Sequence, residues 1–436
     1  MRLSKLSLKP AIVTALTCLF LLPSFVFAQE EGVRSDWPSQ TYIPMQSADG
    51  SAVSREQELL AFAEQLARDF PNSGSVRARL LRSQLDVGNS EGALESLQQL
   101  KELGVVFNER AQSAILDLIG EPHAETARSL LVRSPEVIEA SEVYQTVPAE
   151  AGLVEGLFAS DEFGTLVASS VTGKSIHIFL AGEQEWTSIA IPGADDLSGI
   201  VGEPDDSMGW AASANIDGSQ DAERGFVGLM GLRTDFQNPI LVPAPASALA
   251  LSDVAIGPDS TVYASDPQGG GIYRKPLGAV EMEELVPPAT FRSPQGLAVS
   301  ADGASLYVSD YRYGLAMVEI DSGTVTRMPV DVPVLVDGID GLWLYGDQLI
   351  AIQNGSSPMR IIALQLSQDG GRITDLNVLE QAHSAWTEPL GGSIAGGYLY
   401  YVGTGQWDRY EYGESVPDKP AIATVIRRLK LPEKEQ

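Results

Sequence analysis

The sequence predicts a mainly β protein, a six-bladed β-propeller preceded by a small all-α region. Three observations carry that expectation. The hydrophobic period changes near residue 148, from spacings of three and four to short apolar runs between turn signals. Six similar segments then begin at 155, 198, 252, 295, 340 and 391, 43 to 54 residues apart. A blade of four short strands occupies about 40–50 residues, so six copies read as six blades.

In chain order, the first element is an export leader. Arg2, Lys5 and Lys9 precede an apolar run from Ala11 to Phe27, and Val26-Phe27-Ala28 offers small residues at −3 and −1. The run is short for a bilayer span and polar Gln29-Glu30-Glu31 follows it, so cleavage is expected and no stable membrane anchor. Cys18, the single cysteine, leaves with residues 1–28. The mature chain then has no disulfide, thiolate metal site or cysteine nucleophile, and is expected in the periplasm or outside the cell. Residues 29–53 read as a linker.

From 54 to 147 the pattern is helical: Leu59, Leu60, Phe62, Ala63 and Leu66, then Leu80, Leu81 and Leu85, then Ala93, Leu97 and Leu100. Pro71-Asn72 and Gly88-Asn89-Ser90 separate the runs. The stretch from Ala78 to Leu97 resembles a tetratricopeptide repeat, with Gly88, Ala93 and Leu97 on its turn, small and large-apolar positions. The match covers about one and a half units of that roughly 34-residue repeat, and a plain stack of helical hairpins fits the pattern equally. Either way the region reads as a docking or spacer module, able to take a protein partner, and not as a catalytic one.

Residues 148–431 carry the propeller and 432–436 a tail. The clearest copies run from Val154 to Ser170, Leu251 to Asp266, Pro294 to Asp310 and Ile339 to Gln353, each an apolar strand, a polar turn and a second apolar strand. Fainter copies begin near Ser198 and Gly391. The strand before Glu155 is expected to complete the last blade and close the ring.

Charge excludes one class of partner. With 29 Lys+Arg against 58 Asp+Glu, the chain would repel a phosphate backbone, so no nucleic-acid ligand is expected. In a propeller the innermost strands surround a channel, so equivalent positions on successive blades face one another. Here those positions are Glu155, Ser198, Ser252, Gln295, Asp340 and approximately Gly391. Carboxylate, amide and hydroxyl oxygens are hard ligands that suit Ca²⁺ or Mg²⁺. The same residues also serve as a merely solvated channel rim.

The segments Leu251 to Asp266 and Ser293 to Asp310, with Asp337 to Leu342, resemble blades of the regucalcin/gluconolactonase superfamily, six-bladed propellers related to the NHL-repeat proteins. The resemblance covers roughly 150–431. It implies a channel that holds Ca²⁺ or another divalent cation through a Glu, two Asn and an Asp, and it implies lactone hydrolysis. By position the Glu falls on Glu155 and the Asp on Asp340, while the two Asn positions hold Ser252 and Gln295. Ser is a shorter ligand and Gln a longer one by about 1.5 Å. The implied mechanism is Lewis-acid hydrolysis of a lactone-like small molecule, with Asp340 or Asp337 as the base that activates water.

Asp266 and Asp310 end neighbouring strands and read as strand-end turn residues. His123 reads as a surface residue, His177 as a packed or edge residue and His383 as a loop residue; so scattered, they make no zinc site. Gly269-Gly270-Gly271 lead into a strand, not a helix, and are turn glycines. No G-x-S-x-G elbow is present. Trp407-Asp408 is a single copy of a dipeptide seen in propellers. Two function classes follow: a divalent-metal-dependent lactone or ester hydrolase, and a non-catalytic ligand- or protein-binding propeller with a helical docking module.

Overall fold

The β-branched and aromatic runs of the repeats pair into six antiparallel four-stranded sheets arranged as the blades of a propeller. The computed structural model describes Trp37 and residues 54–131, 133–160, 164–203, 207–218, 225–233 and 238–432. The expected leader (1–28), most of the expected linker (29–53) and residues 433–436 therefore lie outside the described residues. Each blade's innermost strand is the start of a sequence copy: Val154–Ala159, Leu197–Gly202, Val254–Ile256, Pro294–Val299, Gly341–Tyr345 and Gly392–Ala395.

The ring closes as the sequence leads one to expect. From the channel outward, blade 6 orders Gly392–Ala395, Tyr398–Val402, Thr424–Lys430 and then Glu142–Val147. The N-terminal strand is thus the outermost strand of the last blade, in register from Glu142 opposite Arg428 to Val147 opposite Thr424. The strand nevertheless lies within residues 54–147, the span that the apolar period groups with the helices. Its strand pairing places it in the propeller instead.

The core is divided among the seams between blades. Alternation along each strand gives both faces of a blade an apolar set, and each set packs on the neighbouring blade. Val154, Leu157 and Leu166 of blade 1 meet Leu390, Val402 and Ile426 of blade 6. Ile350, Ile352 and Ile361 of blade 5 meet Leu399, Tyr401 and Leu429.

Five helices precede the propeller among the described residues: α1 (Arg55–Asp69), α2 (Gly74–Asp86), α3 (Ser90–Glu102), α4 (Glu109–Ile119) and α5 (Ala124–Leu131). Small polar residues start four of them. Ser54, Ser73, Asn89 and Asn108 each accept a hydrogen bond from the backbone N–H three residues on, which satisfies one of the unpaired donors of a first turn. Leu81, Leu85, Ala93, Leu97 and Leu100 form a core with α4 and α5. None of these helices is long and apolar enough to cross a membrane.

The helical module is fused to the propeller. Leu66, Phe70 and Val76 join the seam of blades 3 and 4, and Trp37 from the linker packs edge-on against Phe70 and Phe291 at 5.3 and 5.2 Å between centroids. Phe70 stacks on Tyr313 at 4.4 Å.

Candidate functional site at the channel mouth

In four of the six blades the innermost strand approaches the next blade so closely at one end of the channel that a side chain cannot fit. A Cβ on Gly199 would stand 2.8 Å from the carbonyl oxygen of Ser252, and one on Gly296 would stand 2.8 Å from that of Asp340. Gly156 and Gly391 meet the next blade in the same way. Glycine at this position is therefore a packing requirement in these four blades, and it produces the x-Gly-aliphatic signature of the clearer copies; in blade 6 the position is Gly391 itself, one residue later than the rim register of the other copies.

Glu155, Ser252, Gln295 and Asp340 do come together. With Asp253, Gly199, Leu342 and Trp343 they line one cavity of about 500 Å³, counted with the open solvent at its mouth. Ser198 does not join them. It is fully buried and its hydroxyl donates to the Ser252 carbonyl at 2.7 Å, tying blade 2 to blade 3, while Gly199 faces the cavity instead.

Asp337 is corrected outright. Sequence reasoning offered it as a base, yet its carboxylate accepts from the N–H groups of Gly74 and Ser75, both at 2.8 Å, and from the Ser73 hydroxyl at 3.2 Å. It serves the first turn of α2 and is not among the residues that line the channel cavity. His383 lies in the loop between blades 5 and 6, as its reading as a loop residue expects. It is buried between blades 5 and 6, 2.7 Å from an Arg427 guanidinium nitrogen.

Asp253 is the cavity-lining acid that the sequence did not reveal. Blade 3 is the copy with no glycine at the close-approach position, reading Ser252-Asp253-Val254 where others read Gln295-Gly296-Leu297. An acid where the repeat requires glycine was the available signal. Its Oδ1 accepts from the Val254 N–H at 2.9 Å.

Each channel acid has a local hold. The Trp407 indole N–H donates to Glu155 Oε2 at 2.8 Å, so the tryptophan of the lone dipeptide acts on the rim. Asn354 Nδ2 donates to Asp340 Oδ2 at 2.9 Å, and the Tyr311 hydroxyl donates to Asn354 Oδ1 at 2.9 Å, which fixes the orientation of that amide. Glu388, on the approach to blade 6, adds a further charge that Glu155 feels.

These acids resist ionisation. Burial drives Glu155 well above the usual carboxylate range, the charges of Asp340 and Glu388 add to the effect, and the Trp407 donor opposes it. Burial pushes Asp253 and Glu388 up to about 7, each with a contribution from Asp340, and Asp340 itself up to about 6. Buried like charges with few donors favour the protonated forms.

The donor set consists of hard oxygens and so fits a Ca²⁺-type cation in kind. Among the described residues no three His, Cys, Asp or Glu side chains are gathered closely enough to hold a metal by themselves. A cation here would take two carboxylates, with amide, hydroxyl or water oxygens completing the shell.

Fold and rim together define the class: a six-bladed β-propeller with an acidic channel mouth and a fused helical module. No protein-family model matches the chain, and no curated protein matches it. It is similar to solved propeller structures at low identity. Regucalcin from Agrobacterium tumefaciens, a calcium-binding protein, is 16% identical over 67% of this chain and 96% of its own, with a TM-score of 0.45. A gluconolactonase from Xanthomonas campestris is 14% identical over 69% and 99%, at 0.43. Virginiamycin B lyase from Staphylococcus aureus is 14% identical over 60% and 82%, at 0.45.

Proposed function

We propose that the channel mouth is the working site and that the protein is an exported, divalent-cation-dependent hydrolase of a lactone or ester. The observation that carries the proposal is the convergence of Glu155, Asp253 and Asp340, from three blades, on one cavity in which their ionisation is suppressed. Uncompensated burial of several acids is costly, and a cation is the partner that would offset it.

Glu155 and Asp340 would hold the cation, with Ser252 and Gln295 at the remaining positions. When bound, a divalent cation supplies Lewis-acid polarisation of the substrate carbonyl. Asn354 holds Asp340 through Oδ2 and so fixes the carboxylate where it lines the cavity. Asp253 takes over the role first given to Asp337. Its ionisation near 7 matches a general base that accepts a proton from attacking water at neutral pH. Leu342, Val254 and Trp343 offer an apolar wall for the carbon skeleton of a small substrate.

Saturating Ca²⁺ is expected to raise the melting temperature by about 4 °C, and Asp340→Ala to abolish the rise. Calorimetry that detects no Ca²⁺ binding at millimolar concentration defeats the reading. Export is part of the proposal, and N-terminal sequencing of the fractionated protein should find Gln29 first.

A further inference from the structure

The helical module and the channel mouth share one hydrogen-bonded scaffold. At the start of α2, Asn72 Nδ2 donates to the Val334 carbonyl at 2.9 Å, and the Val336 N–H donates back to the Asn72 carbonyl at 3.0 Å. The Ser73 hydroxyl donates to the Arg312 carbonyl at 2.8 Å. Asp337 then receives the amides of Gly74 and Ser75. Its carboxylate thereby serves as a second cap on a helix that Ser73 already caps.

From Asp337 the contacts continue inward. Gln353 is fully buried, and its Nε2 donates to the Asp337 carbonyl at 2.6 Å and to the Leu335 carbonyl at 3.0 Å. The Gly355 N–H donates to the Gly338 carbonyl at 3.0 Å, and the Gly338 N–H to the Tyr311 carbonyl at 2.9 Å. Gly338 has φ +66°, and a Cβ there would stand 2.8 Å from the Gly355 carbonyl carbon, so these loops have no slack. Asn354 and Tyr311, which fix Asp340, belong to the same two loops. Asp337 itself lies three residues from Asp340, at most about 11 Å along the chain.

We infer that Asp337 is a positioning residue for the channel site, through which docking of α2 and binding of a cation at Asp340 favour one another. This rests on the reading of the mouth as a cation site. Any ligand that fixes Asp340 must also fix the loops that receive α2, and linkage makes the effect reciprocal.

Two measurements on the full mature protein test it. Native-state hydrogen exchange at Gly74, Ser75 and Val76 should slow several-fold at saturating Ca²⁺. Calorimetry of Asp337→Ala should show Ca²⁺ affinity weakened about tenfold, with Asp337→Asn, which keeps one acceptor oxygen, recovering part of the loss. Unchanged affinity in Asp337→Ala, with faster exchange at α2, would make the contact purely structural and overturn the inference. If that variant does not fold, the wild-type exchange decides alone: Ca²⁺ that binds yet leaves those amides unaffected overturns it. A wild-type protein that binds no Ca²⁺ defeats the site reading first, and the link with it, before any variant is made.

Discussion

Two sets of buried acids in the propeller have opposite fates. At the blade ends, Asp266 accepts the amides of Leu249, Ala250, Gln268 and Gly269. Asp310 accepts those of Arg292, Arg312 and Tyr313. At the channel mouth, Asp340 has one side-chain donor and Glu155 has one. Both sets are buried, and burial raises the pKa of both, to about 6 for Asp310 as for Asp340. Depth and titration therefore do not separate structure from function here. The number of backbone donors separates Asp266 and Asp310 from Glu155 and Asp340, with Asp253 between them on the amides of Val254 and Leu297, because a carboxylate saturated with amides has no oxygen left for a ligand.

The largest expected effect breaks the structural set. Asp266→Ala leaves buried N–H groups of two loops without an acceptor, at about 1–3 kcal/mol for each group that water does not reach. A fall in melting temperature of about 10 °C is expected for a chain of this size. Asp253→Asn, by contrast, removes a charge that burial disfavours, and should leave the apo protein as stable or slightly more so at pH 8 while weakening Ca²⁺ binding. Thermal melts of the two variants side by side check the comparison; equal losses would erase the distinction.

The contrast also explains what was legible in the sequence. Propeller, blade number and ring closure could be read because each blade repeats the same apolar alternation, and most blades the same glycine, both dictated by packing that recurs around the ring. Glu155 and Asp340 could be read because they occupy the same register of that repeat. Asp253 could not, since it departs from the repeat, and a departure has no second copy to vouch for it. The role of Asp337 was hidden for another reason. Its donors, Gly74 and Ser75, lie more than 260 residues away on a helix whose docking face no local pattern announces. The helical runs themselves are legible in their three-and-four spacing, whereas the strand Glu142–Val147, though a closing strand is expected there, falls inside the span read as helical because its partner is at the far end of the chain.

A middle-sized effect comes from pH. The folded-state pKa values of Asp253, Glu388 and Asp340 lie above those of exposed carboxylates, so the folded protein holds protons that the unfolded chain has released. Stability from these groups is full at low pH and is lost as pH rises through about 6–7. The apo protein should melt about 5 °C higher at pH 6 than at pH 8. Ca²⁺ favours the ionised forms and should flatten that slope, with affinity rising over the same interval. An apo melting temperature that climbs from pH 6 to pH 8 contradicts the assignment.

The smallest effect sharpens the comparison at a single hydrogen bond. Trp407 lies in the last blade, about 250 positions along the chain from Glu155, and its indole N–H is the one side-chain donor to that carboxylate. Phe at 407 keeps most of the ring but removes the donor, so Glu155 loses an interaction that favours its charged form. Its pKa should rise further, and the cation should have to displace a more firmly held proton. Trp407→Phe is therefore expected to weaken Ca²⁺ binding about threefold at pH 6 and by less at pH 8, because protons compete less with the cation as pH rises. Calorimetry at the two pH values reads the difference directly. A loss of the same size at both would mean that the indole acts by packing against blade 1 and not by holding the charge of Glu155.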